Sequence, residues 1–206
     1  MRGIPILFIC FIIFLLWFRQ KNRQNSADAE KMDAQFWNRE RESNFIRKKD
    51  ISTLPLIQVP MDQLPFGASI NDAILDIEKD VRKDAEKKMI NLSDKSNTDL
   101  KMEYGTANLE ILSEYDANAT VLLRHISRWG TLLFEEEDFV NAKTVLEYGI
   151  SIGTDISANY INLAKIYIAE GNISAIQELL DSAQNLNTLM KNNIIAELRT
   201  IMSSYQ

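Results

Sequence analysis

Residues 128–150 read RWGTLLFEEEDFVNAKTVLEYGI. Trp129, Gly130, Leu133, Phe139, Ala142, Leu146 and Gly149 recur at helical spacing, interrupted by the acidic run Glu135–Asp138. That arrangement reads as two amphipathic helices joined by a polar turn. The stretch decides the fold if it recurs, because a repeated hairpin builds a stack and an isolated one does not.

It does recur. Moving residues 123–156 forward by 34 positions places Trp129-Gly130 on Leu163-Ala164, Leu133 on Tyr167 and Phe139 on Ile173. Leu146 then falls on Leu180, Gly149 on Ala183, and the acidic turn on Ala169-Glu170-Gly171-Asn172. Large apolar residues meet large ones and small residues meet small ones, with Ala142 against Ile176 the one discord. A small residue on one helix lets the next approach closely, so Gly130 and Ala164 are expected to face Ala142 or its equivalent across the hairpin. Neither hairpin buries its apolar face alone, so neighbours stack.

The unit length and the large-small-aromatic order resemble the tetratricopeptide repeat (TPR). The resemblance covers residues 123–190, about a third of the chain. It departs from the family at Thr154, where a proline usually closes the unit, and at Ile176, which occupies a small-residue position. Two units fall short of the three usually needed for stability. Flanking helices are expected to supply the rest: residues 99–115, which echo a second helix through Tyr104, Ala107 and Ile111, and a capping helix over 189–205. The resemblance implies a groove lined by the first helix of each unit. Here that groove would present Arg124, Ser127, Thr131 and Phe134, then Ala158, Ile161, Lys165 and Ile168. It is mostly apolar with two cations, which suits an amphipathic helix or an extended acidic-apolar peptide.

Outward from the repeat, the chain changes character three times. Residues 69–98 place Ile70, Ile74, Ile77 and Val81 on one helical stripe, with Ser69 as its expected cap and a polar loop behind it. Residues 51–68 hold Pro55, Pro60 and Pro65 among many apolar residues, which predicts an extended strap laid against the helical body. Residues 25–50 lack Gly and Pro and alternate in charge, which predicts a solvated helix.

At the N-terminus, IPILFICFIIFLLWF (residues 4–18) has no charged side chain, and twelve of its fifteen residues are Ile, Leu or Phe. Each favours membrane insertion by roughly 0.3–0.6 kcal/mol. Fifteen helical residues rise only about 22 Å, short of a ~30 Å hydrocarbon core, and Arg2 and Arg19 are expected to snorkel across the difference. The reading is an uncleaved anchor over residues 1–24. Arg19, Lys21 and Arg23 follow the span and Arg2 alone precedes it, which predicts a cytoplasmic C-terminal domain at a bacterial plasma membrane. This layout is similar to that of single-pass membrane proteins of Gram-positive bacteria. The expected fold is therefore all-α: a single N-terminal transmembrane helix, then a right-handed stack of antiparallel helix pairs.

Charge and composition bound the function. The four cations of residues 1–24 leave 19 bases against 29 acids in the remainder. Such a body repels phosphate backbones and argues against nucleic acid as a partner. Cys10 is the single cysteine and lies in the apolar run, so a Cys-based zinc site is excluded. His125 is the single histidine and has no nucleophile beside it in sequence. Glu135–Asp138 lack the spacing of a calcium loop. The expectation is a non-enzyme without cofactor or metal, a membrane-tethered adaptor whose partner is another protein or peptide. The rival is a structural subunit with its helical face permanently buried.

Overall fold

The computed structural model describes residues 4–205, with the side chains of residues 4–9, 23–27 and 205 excepted. Every regular element among the described residues is helical. In chain order these are α1 (Ile4–Ser43), α2 (Asp72–Ala85), α3 (Asn97–Tyr104), a 3-10 turn (Thr106–Asn108), α4 (Leu109–Glu135), α5 (Phe139–Ser151), α6 (Ser157–Ala169), α7 (Ile173–Gln184) and α8 (Lys191–Tyr205). They divide into two compact units.

The smaller unit joins the chain up to Lys49 with Asn97–Ala107. Its α1 runs unbroken through the expected anchor and the charged helix behind it, because no Gly or Pro falls between residues 6 and 43. Among the described residues no helix is long and apolar enough to cross a membrane. The sequence explains this: Arg19, Gln20 and Lys21 close the apolar run after fifteen residues, while the first six of its side chains lie outside those described.

The C-terminal end of α1 is held by α3. Arg39 pairs with Asp99 at 2.5 Å, and the Glu40 carboxylate accepts from the Thr98 hydroxyl at 2.7 Å and from the Lys101 ammonium. Ser43 is wholly buried, and its carbonyl accepts from the Thr106 hydroxyl. Gly105, at φ +87°, ends α3 where a Cβ would collide with the Arg47 carbonyl. That break divides the single helix expected over residues 99–115.

The Lys101 hydrogen bond, and after it the Thr98 hydroxyl, hold the Glu40 carboxyl below its ordinary value of 4.5. A carboxyl lowered on folding contributes stability above its ordinary value and loses it as pH falls through the folded value. The protection factors of residues 97–104, taken against intrinsic exchange at each pH, should therefore fall on acidification below about pH 4.5. Glu40→Gln should remove most of that pH dependence.

The larger unit comprises Asp50–Ser96 and Asn108–Gln206. α2 lies antiparallel to α4: Asp84 near its C-terminus meets His125, while Asn71 at its start donates to Glu136. Ile74 and Val81 are fully buried, whereas Ile70 is 97% exposed and outside the helix. The cap is Asn71, whose side chain accepts from the Ala73 amide, and not Ser69. Ser69 accepts from the Asn71 amide in the turn before it.

Residues 51–68 run without helix over this body. The Ile57 amide donates to the Met89 carbonyl at 2.8 Å, and the Tyr148 hydroxyl donates to the Gln58 carbonyl at 3.2 Å. Leu64 is buried, and Phe66 packs 4.8 Å from Trp129 with the Arg82 guanidinium 4.1 Å over its other face.

The remaining helices form two successive hairpins and a final helix. α4 ends at Glu135 and α6 at Ala169, one repeat interval further on. The starts of α5 and α7, Phe139 and Ile173, are offset by the same interval, as are those of α6 and α8, Ser157 and Lys191. The two turns match bond for bond. The Asp138 amide donates to Leu133 O at 3.0 Å and the Asn172 amide to Tyr167 O at 2.8 Å. Asp138 then caps α5 through the Asn141 amide, and Asn172 caps α7 through the Ala175 amide. Glu137 at φ 61° and Gly171 at φ 69° hold the same left-handed position. α4 is 27 residues long, and α6 is 13. α6 packs against α4, α5, α7 and α8.

Candidate functional site

The side chains that pack the hairpins lie where two helices touch. Trp129, Leu133, Ala142, Leu146, Leu163, Ala164, Tyr167 and Ala183 are all buried. Gly130 marks the closest approach, but not to Ala142. A Cβ there would lie 2.5 Å from Leu146 Cδ2 and 3.6 Å from Val145 Cγ1, so the α4–α5 contact centres one turn further along α5. Phe139 is the other departure: it is 41% exposed, because it is the first residue of α5 and stands beyond the contact. Its ring meets Phe134 edge-on at 5.4 Å.

Several buried polar side chains between these helices make hydrogen bonds, most of them to backbone. Tyr160 donates to the Thr154 carbonyl at 3.0 Å, and burial pushes its hydroxyl up to about 12. Thr154 itself is wholly buried, and its hydroxyl accepts from the Ile156 amide. It closes the turn between α5 and α6 with this hydrogen bond. Asn159 donates to the Leu146 carbonyl at 3.2 Å beside Gly149, where no side chain fits. Tyr167 donates to Glu147 at 2.7 Å. Burial first, then that carboxylate, raise its hydroxyl well above the usual tyrosine value.

The residues expected to line a groove lie on α4 and α6. Lys165 is exposed, and its ammonium stands 5.8 Å over the Phe134 ring, which joins the two helices across the face. Asn162 donates to the Thr131 hydroxyl at 3.3 Å beside it. Ile161 and Ile168 are half-buried and Arg124 is exposed. Ser127 is only 5% exposed and belongs to the packing, not to the open face.

His125 and the acidic turn have structural partners. His125 Nδ1 lies 2.6 Å from Asp84 Oδ2, and Lys87 donates to Asp84 Oδ1 at 2.8 Å. The Asp84 side chain is 3% exposed, so this pairing ties α2 to α4 in the interior. Glu136 accepts from Ser69 and Asn71 at the start of α2. Among the described residues no group of three or more His, Cys, Asp or Glu could hold a metal ion.

Sequence reasoning missed two features. One is Glu78, 4% exposed, which accepts from the Gly67 amide at 2.8 Å and pins the strap to α2. Nothing in a charged helix face signals that one Glu is covered. The other is that α8 continues the repeat. Its Ile194, Leu198 and Ile201 take the places that Tyr160, Ala164 and Tyr167 hold one interval earlier, and Ile194 and Leu198 are fully buried. That interval was legible, but Leu198 opposite Ala164 breaks the small-to-small rule. No family model, no curated protein and no solved structure matches the chain.

Proposed function

We propose that this chain is a membrane-tethered adaptor: a right-handed, TPR-like stack of helix pairs that holds a partner protein or peptide in a groove lined by α4 and α6. The observation that carries the reading is the recurrence, at one constant interval, of both helix boundaries and turn hydrogen bonds. Stacked hairpins build extended surfaces of the kind that bind other chains. The tether is residues 4–18. From Cys10 to Phe18 every side chain is exposed around the whole helix, and Lys21 stands 5.7 Å over the Trp17 ring at its polar end. A protein partner covers one side of a helix, whereas lipid covers all of it. The cations after the run support a cytoplasmic stack.

A structural-subunit reading draws on one further observation. Met32, Phe36 and Trp37 on α1 are 70%, 53% and 60% exposed, which is much apolar surface for a solvated helix.

The full chain is expected to stay in the membrane fraction after alkaline carbonate washing, and a chain lacking residues 1–24 to leave it. A reporter active only in the cytoplasm, fused after Gln206, should be active. A photo-crosslinking residue at Ile168 should give a discrete adduct with another protein in intact cells. An adduct of twice the chain's own mass would favour the subunit. Release of the full chain by carbonate would end the tether reading.

A further inference from the structure

The strap satisfies much of its own backbone. The Leu54 amide donates to Ile51 O, the Gln63 and Leu64 amides to Pro60 O, and the Ala68 amide to Pro65 O. Pro55, Pro60 and Pro65 have no N–H to satisfy. The body is reached at separate points: the Ile57 amide on Met89 O, the Gln58 carbonyl under the Tyr148 hydroxyl of α5, and the Gly67 amide on Glu78 of α2. Leu64 is the one buried side chain of the strap; Leu54, Leu56, Ile57, Val59 and Phe66 are half-buried. A segment bonded largely to itself and half-buried along its length is attached to the body as a ligand is attached to a receptor.

Phe66 shows the same character. Its ring lies 4.8 Å from Trp129 of α4 on one side and 4.1 Å beneath the Arg82 guanidinium of α2 on the other. An aromatic ring and a cation together hold a ring by dispersion and by its quadrupole. Proline-bearing segments suit such seats because they are extended before docking and lose little conformational freedom on binding.

Two features favour release. Gly67, at φ +76°, turns the chain in open space, with nothing within 4 Å of where a Cβ would stand, and Ala68 and Ile70 beyond it are exposed. Glu78 is 4% exposed, and its Oε1 has no hydrogen-bond partner among the described residues. The closed strap therefore leaves one carboxylate oxygen buried and unpaired, a cost that opening to water removes.

We propose that α2, α4 and α5 form a seat for an extended, proline-bearing segment of another protein, which presents a phenylalanine to Trp129 and Arg82, and that the strap closes this seat as a built-in competitor. Leu64-Pro65-Phe66 is the pattern the seat accepts. Being attached, the strap acts at an effective concentration of the order of millimolar, so it excludes weak segments and yields to a tighter one. The seat shares no residue with the α4–α6 groove of the adaptor reading and does not depend on it.

The test uses the full-length chain in neutral detergent. In native-state hydrogen exchange the Ile57 and Gly67 amides should have protection factors at least about tenfold below those of Leu122 and Ile126 in α4, because the strap opens while α4 stays closed. Equal protection makes the strap part of the core and overturns the proposal. The binding probe is a labelled peptide of residues 51–67, followed by fluorescence anisotropy. Phe66→Ala in the chain should loosen the strap, and this variant should bind the peptide at least about tenfold more tightly than the unaltered chain. The same peptide carrying Phe66→Ala should not bind. Arg82→Gln added to the Phe66→Ala chain should weaken binding about threefold, whereas Lys83→Gln, exposed on the same helix, should not. Failure of the peptide to bind a helical Phe66→Ala chain, or indifference to Arg82→Gln, overturns the seat. Should Phe66→Ala lose its helical signal in circular dichroism, the exchange comparison on the unaltered chain decides alone. Dimers of the unaltered chain that Phe66→Ala abolishes would put a second copy's strap in the seat and overturn a foreign segment. The adaptor reading is judged separately, by the Ile168 crosslink.

Discussion

Trp129→Ala should cost about 3–5 kcal/mol, the largest loss expected from any single side chain here. Trp129 is fully buried in α4, beneath Phe66 of the strap and against the helices on either side. Truncation removes the apolar transfer energy of the ring and leaves a cavity that two helices and the strap cannot close together. For a unit of this size, 1 kcal/mol moves the melting temperature by about 3 °C, so a fall of about 10–15 °C is expected in a thermal scan. Trp129→Phe separates volume from polarity. Trp129 Nε1 finds no hydrogen-bond acceptor among the described residues, so phenylalanine gives up volume but no hydrogen bond. Its cost should stay at about 1–2 kcal/mol, from the lost ring volume alone. Equal, large losses in both variants would mean that the indole N–H is bonded after all.

The second large effect tests the opposite fault, overpacking. Gly130 sits where Leu146 already occupies the space of a Cβ, and Leu146 is itself fully buried and has nowhere to retreat. Gly130→Leu should therefore cost about 3 kcal/mol, the upper part of the usual range for overpacking. Ala164→Leu, at the corresponding position of α6, should cost about 1–3 kcal/mol. The neighbouring Lys165→Glu changes an exposed side chain and should stay within about 0.5 kcal/mol. Urea unfolding of the three variants gives the comparison directly. A neutral Ala164→Leu beside an unfolding Lys165→Glu would show that the repeat register is misplaced.

Helix identity and interval were legible because their causes are local. Asp138 and Asn172 cap the helices that follow them, and the apolar residues recur at helical spacing on either side. The three prolines between residues 55 and 65 likewise forbid a helix wherever the strap goes. The face of α6 with Ile161, Lys165 and Ile168 was expected from the resemblance alone; Lys165 is exposed there, and Ile161 and Ile168 are half-buried.

What the chain order could not say is which surfaces meet. His125 read as a lone histidine with no partner beside it in sequence because Asp84 is 41 residues away on an antiparallel helix. Glu78 and Asp84 carry no local sign of burial, yet both are covered in the fold, where Glu78 accepts from Gly67 of the strap and Asp84 meets His125 of α4. Gly130 was recognisable as a close-approach residue, but its facing side chain depends on how far α5 slides along α4, and that is settled by Leu146 and Val145 filling the gap. Local sequence sets where helices start, stop and repeat, since those choices are made within a turn or two of backbone. Burial and charge pairing arise in the folded arrangement alone, because each depends on residues brought together across long separations of chain.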